Sequence, residues 1–317
     1  MKKFLWPLLV FPLFLSAQKS PFNSEAVFPA RHTYSTGDTL RIMTWNVEHL
    51  VDELDDPYVN NGRENNGEIK PEKMKLLAQA LKMAGADVIV FEEAESANVV
   101  EALRDSFFPD LGYQYVADTR SRNWYQNVVI LSKLPIGKMI SYGNVHTPVV
   151  FEEDGESKYQ TQNYINTRMW TCELLVDSTY GLYLSGVHLK AGGGNRNEAM
   201  RMGQLRYWQK EMEQLLKANP EADIILLGDL NSYRDGNEIK MLLEDSRPLV
   251  KLLDPIAPEV NSHPADAPSH RLDYILYNQN LTDQIIPESA QVLSPFSPAE
   301  MRTISDHLPL ILDLLVP

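Results

Sequence analysis

Runs of large apolar residues that lead directly into polar residues recur along this chain. The pattern is clearest at residues 224–227, which run straight into Gly228, Asp229, Leu230 and Asn231. A strand covered on both faces has no structural need to end in a carboxylate and a carboxamide. Side chains two apart on a strand project from the same face, so Asp229 and Asn231 can converge on a cation or a phosphate. Turn or cap roles for the two side chains account for the same pattern.

Hydrophobic periodicity predicts the other elements and the fold class. Strands are expected at 40–46, 87–91, 128–131, 169–176, 181–187, 272–277, 290–293 and 308–315. Helices are expected from Pro71, near 98–107 and after Asn197, where apolar residues recur at helical spacing. Polar stretches at 52–68 and 152–157 are expected to be loops. Many strands with a few interspersed helices predict two packed β-sheets with helices outside, in one domain.

The N-terminal residues indicate a targeting segment. Lys2 and Lys3 precede an apolar run at 4–15, which Ser16 and Ala17 follow. This order is typical of a secretory signal peptide cut after Ala17, and a retained membrane anchor is the alternative. The apolar run is too short to span a bilayer. We therefore expect a signal peptide at 1–17, a lead-in segment at 18–38 and one folded domain at 39–317, in a secreted or periplasmic protein.

Composition narrows the function classes. The 317-residue chain carries 29 Lys and Arg against 43 Asp and Glu, which gives a formal net charge of −14 at pH 7. Proteins that coat nucleic acid are normally basic, so this charge argues against that class. It leaves open an enzyme that meets phosphates through a metal ion and a few arginines. Cys172 is the only cysteine, so the chain has no internal disulfide and no cysteine-based zinc site.

Polar residues also stand at the ends of other predicted strands, where a structural strand would simply turn. In chain order these residues are Asn46, Glu92, Glu93, His188, Asp229, Asn231, Asp273, Asp306 and His307. The ends of neighbouring strands lie close together, so the side chains can line one cleft. Each residue alone is explained as readily by a cap, a turn or a structural hydrogen bond.

The residue types fit metal-assisted hydrolysis of a phosphate ester. Carboxylates such as Glu93 and Asp306 supply the oxygen ligands that Mg²⁺ prefers. A histidine held by a carboxylate, here His307 with Asp273, can take a proton from water, and Asp229 can share or replace that task. The remaining polar groups can donate hydrogen bonds to phosphate oxygens as charge builds on them. These donors are Asn46, Asn231 and His188.

Seven short segments follow the order of a known pattern. They are TWNVE at 44–48, VFEE at 90–93, VILSKLP at 129–135, GVHLK at 186–190, LGDLNS at 227–232, RLDYIL at 271–276 and SDHLPL at 305–310. In these segments the chain resembles the endonuclease/exonuclease/phosphatase family, with the deoxyribonuclease-I-like fold, over about residues 40–315. The resemblance implies a four-layered α/β/β/α sandwich of two mixed sheets flanked by helices, with the active site at one edge of the sheets. It also implies divalent-metal-dependent cleavage of phosphodiesters or phosphomonoesters.

The resemblance further assigns roles to residues of this chain. It implies a metal site of Asn46, Glu93 and Asp306, with Mg²⁺ as the expected ion and Mn²⁺ or Ca²⁺ as alternatives. It implies that His188, Asp229 and Asn231 contact phosphate or orient water, and that Asp273 and His307 form a carboxylate–imidazole pair. Whether Asp229 or His307 activates water stays open.

Two further points concern residues beside the matched segments. Many family members have glutamine where this chain has Glu92, and strand alternation predicts that Glu92 points away on the opposite strand face. The remaining histidines are expected to be structural or exposed, with His49 and His270 the first to check because they lie near matched segments. These histidines are His32, His49, His146, His263 and His270.

The sequence thus predicts a secreted or periplasmic Mg²⁺-dependent phosphodiesterase, foremost a nuclease that acts on DNA or RNA. We expect a monomer without stable membrane association. A phosphomonoesterase or a phospholipid or inositol-phosphate hydrolase on the same fold is the alternative. A catalytically silent phosphate-binding module is a further one, although the intact set from Asn46 to His307 argues against it.

Overall fold

The computed structural model describes residues 37–52, 71–119, 124–142, 145–162, 168–244 and 250–317. The predicted signal peptide, nearly all of the lead-in segment and most of the polar stretch at 52–68 lie outside these ranges, so their assignments stay predictions. No helix within the described ranges is long and apolar enough to cross a membrane.

Fourteen strands and five α-helices form in the described part of the chain. The strands are β1 (Thr39–Leu50), β2 (Val88–Ala94), β3 (Tyr115–Asp118), β4 (Asn127–Ser132), β5 (Ile136–Ser141), β6 (Thr147–Glu153), β7 (Glu156–Gln162), β8 (Met169–Leu175), β9 (Gly181–His188), β10 (Ile224–Asp229), β11 (Leu252–Leu253), β12 (Asp273–Asn278), β13 (Gln291–Val292) and β14 (Leu310–Leu315). The helices are α1 (Pro71–Ala84), α2 (Ala97–Phe107), α3 (Asn195–Ala218), α4 (Asn237–Glu244) and α5 (Pro298–Ile304).

Two mixed six-stranded sheets pack against each other, as the sequence predicts. Among the described strands, one sheet has the order β13-β14-β1-β2-β4-β3 and the other the order β11-β12-β10-β9-β8-β5. Each sheet contains one parallel pair near its centre, β1 with β2 and β9 with β10. Parallel partners end at the same edge of a sheet, and these pairs therefore bring four strand ends to the region that the polar residues occupy.

Alternating side chains of the central strands divide the apolar core into layers. In β2, Val88 and Val90 face the second sheet, whereas Ile89 and Phe91 face the helices α1, α2 and α5. Helices α3 and α4 cover the outer face of the second sheet, where Trp208 is fully buried. A strand with apolar residues at successive positions is buried on both faces. The four-layered α/β/β/α sandwich is thereby confirmed.

A β-hairpin replaces the loop predicted at 152–157. Strands β6 and β7 pair antiparallel around Asp154 and Gly155, which have φ angles of 54° and 77°. An Asp-Gly pair with both φ angles positive is the preferred two-residue hairpin turn. The acidic residues of this stretch are solvated, as the sequence predicts, but they flank a turn within a two-stranded sheet that packs against α3.

Candidate active site

Three neighbouring strands of the second sheet place His188, Asp229 and Asp273 in one row. His188 on β9 lies opposite Asp229 on β10, and Asp229 lies opposite Asp273 on β12. Directly opposed residues project from the same face of a sheet. Each of the three is only 2% exposed, so the row lies just beneath the surface rather than on it.

Asn46 joins this row from the other sheet. Its Nδ2 atom donates a hydrogen bond to Asp229 Oδ2 at 3.0 Å. Asn231 holds the same carboxylate from the loop after β10, because its backbone N–H donates to Asp229 Oδ1 at 2.8 Å and its Nδ2 donates to Oδ2 at 3.1 Å. Asp229 and Asn231 therefore meet through direct hydrogen bonds and not through a shared strand face, because Asn231 lies beyond the end of β10 with a φ of 49°. The arrangement fixes the Asp229 carboxylate at the edge where the two sheets meet.

The glycine before Asp229 is required by a close backbone approach. Gly228 has a φ of 132°, and a Cβ atom built there would lie 1.9 Å from the carbonyl oxygen of Val187. Every other residue type carries a Cβ, so glycine alone lets β9 and β10 run together at this point. The sequence signal of a glycine between strand and acid therefore reports tight packing behind the site.

His307 and Asp273 form the predicted carboxylate–imidazole pair. His307 Nδ1 lies 2.9 Å from Asp273 Oδ2, and Ser262 Oγ donates to the same oxygen at 2.5 Å. Burial alone would disfavour a charged ring, but Asp273 and Asp229 outweigh it and raise the pKa of His307 to about 10. The Nε2 atom of His307 lies 3.9 Å from Asp229 Oδ2. His307 is therefore an imidazolium whose remaining N–H points into the site.

Asp229 and His188 have unusual charge states for the same reason, which is burial. Burial, with Asp273 adding to it and His307 opposing it, raises the pKa of Asp229 to about 7. Burial and the nearby Arg168 cation hold the pKa of His188 well below its usual range. The neutral His188 ring places Nε2 3.6 Å from Asp229 Oδ2 and 3.8 Å from Glu93 Oε1. The site thus combines a carboxyl group with a pKa near 7 (Asp229), a neutral imidazole (His188) and a charged imidazolium (His307).

Among the predicted site carboxylates, Glu93 and Asp306 are more exposed to solvent than Asp229 and Asp273. Glu93 leaves the strand alternation with a φ of 61°, and its Oε2 atom lies 3.6 Å from His49 Nδ1. Asp306 is held ionised, because His263, His307 and Arg302 outweigh its partial burial and lower its pKa to about 2. The negative charges of both carboxylates favour the charged form of the nearby Lys73 ammonium, whose burial opposes it. The ammonium donates a hydrogen bond to the carbonyl of Val47 at 2.6 Å.

The donor set of the predicted metal ligands suits a hard divalent cation. Asn46 contributes a carboxamide oxygen, and Glu93 and Asp306 contribute carboxylate oxygens. Asn46 is 1% exposed and belongs to the same edge as the Asp229 carboxylate. These residues therefore fit Mg²⁺ by the chemistry of their oxygens.

Glu92 lies between the two sheets, beneath the site. Its side chain is fully buried there, and Thr44 Oγ1 donates to Glu92 Oε1 at 2.7 Å. Because Glu93 leaves the strand alternation, the predicted arrangement on opposite strand faces does not apply to this pair. Burial, reinforced by the charges of Asp273 and Asp229, raises its pKa well above the usual range. Glu92 is thus a buried acid beneath the site.

Sequence reasoning missed Arg168 and His263 near the site, and it named His49, on β1, only as a histidine to check first. Arg168 precedes β8, and its carbonyl accepts a hydrogen bond from the backbone of His188 at 2.7 Å. His49 stacks on Tyr125 at 5.5 Å and faces Glu93. His263, which had no sequence support, packs against the His307 ring at 4.7 Å. A cation directly before a strand whose neighbour ends in a site histidine was the available signal for Arg168.

The chain belongs to the Endonuclease/Exonuclease/phosphatase family, whose sequence model matches residues 43–307. Members of this family are hydrolases that act on phosphoester bonds, typically with a divalent metal ion. No curated protein sequence matches the chain.

Several solved structures share the fold. A family protein from Bacteroides thetaiotaomicron is 13% identical, with 90% of this chain and 97% of that chain covered and a TM-score of 0.57. The catalytic domain of human Nocturnin, with a bound sulfate anion, is 18% identical, with 87% and 94% covered and a TM-score of 0.54. TDP2 from Caenorhabditis elegans is 16% identical, with 88% and 75% covered and a TM-score of 0.54. At these identities the likeness concerns the fold alone.

Proposed function

We propose that this protein is a secreted or periplasmic Mg²⁺-dependent phosphodiesterase that hydrolyses nucleic acid by in-line attack of water on phosphorus. The observation that carries the proposal is the coupled set Asp273–His307–Asp229, in which one carboxylate fixes an imidazolium beside a second, near-neutral carboxyl. Such a set provides a proton acceptor and a charged hydrogen-bond donor side by side at one edge of the sheets.

Asp229 serves as the group that orients and deprotonates water. Its carboxylate is fixed by hydrogen bonds from Asn46 and Asn231, and a pKa of about 7 suits proton transfer near neutral pH. His307, kept protonated by Asp273, donates from Nε2 to a phosphate oxygen as negative charge builds on it. This division of roles follows from the raised pKa of His307, since an imidazolium cannot accept the proton of water.

A divalent cation held by Asn46, Glu93 and Asp306 would neutralise phosphate charge and stabilise the leaving oxygen. Neutral His188 offers a hydrogen bond to a non-bridging oxygen of the same phosphate, whereas the Asn231 amide is already engaged with Asp229 and with the carbonyl of Leu189 and holds Asp229 in place. The backbone contacts described above fix both side chains before substrate arrives.

Local cations favour a polyanionic substrate over a single phosphate. The loop after β9 brings Lys190 close to Arg168, Arg196 and Arg201, so that these cations together lower the pKa of Lys190 in addition to the effect of its burial. A cluster of cations on a protein with a net charge of −14 supports a substrate that carries successive phosphates. The sulfate bound by the Nocturnin domain supports an anion site in this fold.

A substrate panel tests the proposal. Plasmid DNA, RNA, bis-p-nitrophenyl phosphate and p-nitrophenyl phosphate are each incubated with Mg²⁺ and with a chelator. We expect cleavage of nucleic acid and of the diester that chelation abolishes, and a loss of about 10²-fold or more in kcat for Asp229→Asn and for His307→Gln. Circular dichroism of both variants establishes that they are folded.

Three outcomes would contradict the proposal. Full turnover in Asp229→Asn removes the assigned base, and turnover of p-nitrophenyl phosphate without turnover of the diesters moves the protein to the phosphomonoesterase alternative. Binding of phosphate ligands without any turnover establishes the silent module instead.

A further inference from the structure

Two imidazoles and one carboxylate converge on the solvent side of the active site. His263 Nε2 lies 3.7 Å from Asp306 Oδ2, and His307 Nε2 lies 3.9 Å from Asp306 Oδ1. The three ligand atoms lie within 4.8 Å of one another. These separations are too long for hydrogen bonds. Ligands at about 2.0–2.2 Å from a tetrahedral Zn²⁺ lie roughly 3.3–3.6 Å apart, so the three atoms must close by up to about 1.5 Å, within reach of side-chain rotation, to bind one ion.

The Nδ1 atom of each imidazole already has a hydrogen-bond partner. His307 Nδ1 is bound by Asp273 at 2.9 Å, and His263 Nδ1 lies 2.9 Å from His270 Nε2. The backbones of His263 and His270 also pair with each other, at 3.0 Å and 3.1 Å. Metal-ligating histidines characteristically have the non-ligating nitrogen fixed in this way, which sets the tautomer and the ring orientation. Both free Nε2 atoms are therefore directed towards Asp306.

Exposure distinguishes this cluster from the deeper one beside it. The side chains of His263 and Asp306 are 24% and 34% exposed, so an ion can enter from solvent. The second group of donors in the described residues, Asp229 with Asp273 and His307, is buried, and its histidine and Asp273 are already hydrogen-bonded to each other. The outer cluster alone is both open and pre-oriented.

We propose that His263, Asp306 and His307 form a zinc site that shares Asp306 with the Mg²⁺ site, and that zinc bound there inhibits hydrolysis. Imidazole nitrogens select Zn²⁺ over Mg²⁺, which takes oxygen ligands. The inhibition rests on the proposed function, because zinc takes the Nε2 atom with which His307 meets the phosphate. The proton that His307 carries without zinc leaves when that nitrogen binds the ion.

A zinc titration monitored by calorimetry tests the site directly. The full chain is first stripped of metal and then placed in excess Mg²⁺, so that the heat measured comes from zinc binding. We expect one Zn²⁺ per chain in the wild type and an affinity about 10- to 100-fold lower in His263→Gln. His270→Gln, which removes only the partner of His263, is expected to weaken zinc binding by about 10-fold. Visible absorption of Co²⁺, used in place of Zn²⁺, should lose its ligand-field bands in His263→Gln.

Two variants serve as controls for where the ion binds. His146→Gln removes an imidazole before β6, outside the cluster, and should bind zinc as the wild type does. Glu93→Gln weakens the oxygen site and should leave zinc affinity intact. Wild-type zinc affinity in folded His263→Gln would overturn the proposal, and so would loss of zinc binding in Glu93→Gln, since the ion would then occupy the Mg²⁺ site.

The inhibitory role is tested by hydrolysis of bis-p-nitrophenyl phosphate in excess Mg²⁺ with increasing Zn²⁺. Each variant is compared with its own zinc-free rate, and half-inhibition of His263→Gln should need at least about 10-fold more zinc than that of the wild type. Zinc that binds without slowing hydrolysis would contradict the inhibition. A wild-type protein that hydrolyses nothing contradicts the proposed function instead, and the zinc titration still decides the site.

Discussion

Glu92 shows how a single residue can work against stability beneath an active site. One of its carboxylate oxygens accepts the hydrogen bond from Thr44, and the other is buried without a hydrogen-bond partner among the described residues. A buried polar atom without a partner costs about 1–3 kcal/mol. A neutral amide of the same shape avoids burying a charge at this position.

We therefore predict that Glu92→Gln stabilises the protein. An acid whose pKa is raised in the folded state stabilises the fold only below its unfolded pKa, and this contribution is lost as the pH rises above that value. The gain from the neutral amide should thus be small near pH 4.5 and reach about 1–2 kcal/mol near pH 8. Urea denaturation at both pH values measures it.

A surface substitution provides the control for this prediction. Glu101→Gln on α2 makes the same chemical change at an exposed position and should alter the free energy of unfolding by less than about 0.5 kcal/mol. Destabilisation by Glu92→Gln at both pH values would mean that the charged form of Glu92 is the stabilising one.

At the scale of elements, the site depends on how closely β9 and β10 approach. The carbonyl of Val187 occupies the place where a side chain of Gly228 would begin. We predict that Gly228→Ala destabilises the protein by about 3 kcal/mol or more, because the methyl group must push the two strands apart and the positive φ is strained as well. Chemical denaturation, or the yield of soluble protein, measures the effect.

The matched control for this prediction is Gly193→Ala in the loop after β9. A Cβ atom at Gly193 meets nothing within 4 Å, and its φ is outside the left-handed region. Its effect on the free energy of unfolding should stay within about 0.5 kcal/mol. Equal effects of the two substitutions would show that the approach of Val187 to Gly228 is not tight.

Helices α3 and α4 fix the two loops that follow β9 and β10. Arg201 on α3 donates to the carbonyls of Lys190 and Gly192 at 3.0 and 2.8 Å, and it pairs with Glu238 on α4 at 2.5 Å. Glu238 in turn accepts from Ser232 at 2.8 Å. This buried ion pair therefore ties the backbone beside His188 to the backbone beyond Asp229.

Elements differ in how far the sequence predicts them, and the reason is burial. Strands such as β10 are predicted because both faces are buried and the apolar run is unbroken. The β6–β7 hairpin is not, since Val150 and Tyr159 are exposed at 51% and 77% and the acidic residues at its turn mimic a loop. The Asp154–Gly155 turn was the signal that should have outweighed them.

Residues of the candidate site also differ in how far the sequence predicts their contacts. Asp229, Asp273 and His307 come from segments whose residue order is itself informative, so the sequence predicts that they meet. His263 reaches Asp306 only because the chain around it pairs with His270, and no local pattern encodes that approach. Contacts made by irregular loops depend on tertiary packing, which hydrophobic periodicity does not report.

For the molecule as a whole, substrate binding must overcome a net charge of −14. Long-range repulsion between this protein and a nucleic acid is screened at physiological salt within about 8 Å. Attraction of the proposed nucleic-acid substrate then depends on the few cations close to the site, above all Lys190 with Arg168 and Arg196. Each phosphate contact with duplex DNA lowers the slope of log affinity against log salt by about 0.9. We therefore expect a shallow salt dependence, of about −1 to −3, for DNA binding.

Removal of one phosphate contact tests this prediction. Lys190→Gln should make the slope less negative by about one unit, because one fewer phosphate is neutralised when DNA binds. Lys75→Gln, at an exposed position on α1, removes the same charge away from the site and should leave the slope unchanged. The slope is obtained from KM for a DNA duplex at several salt concentrations, with bis-p-nitrophenyl phosphate as the singly charged reference. If both variants change the slope equally, net charge governs binding and the Lys190 loop does not contact the substrate.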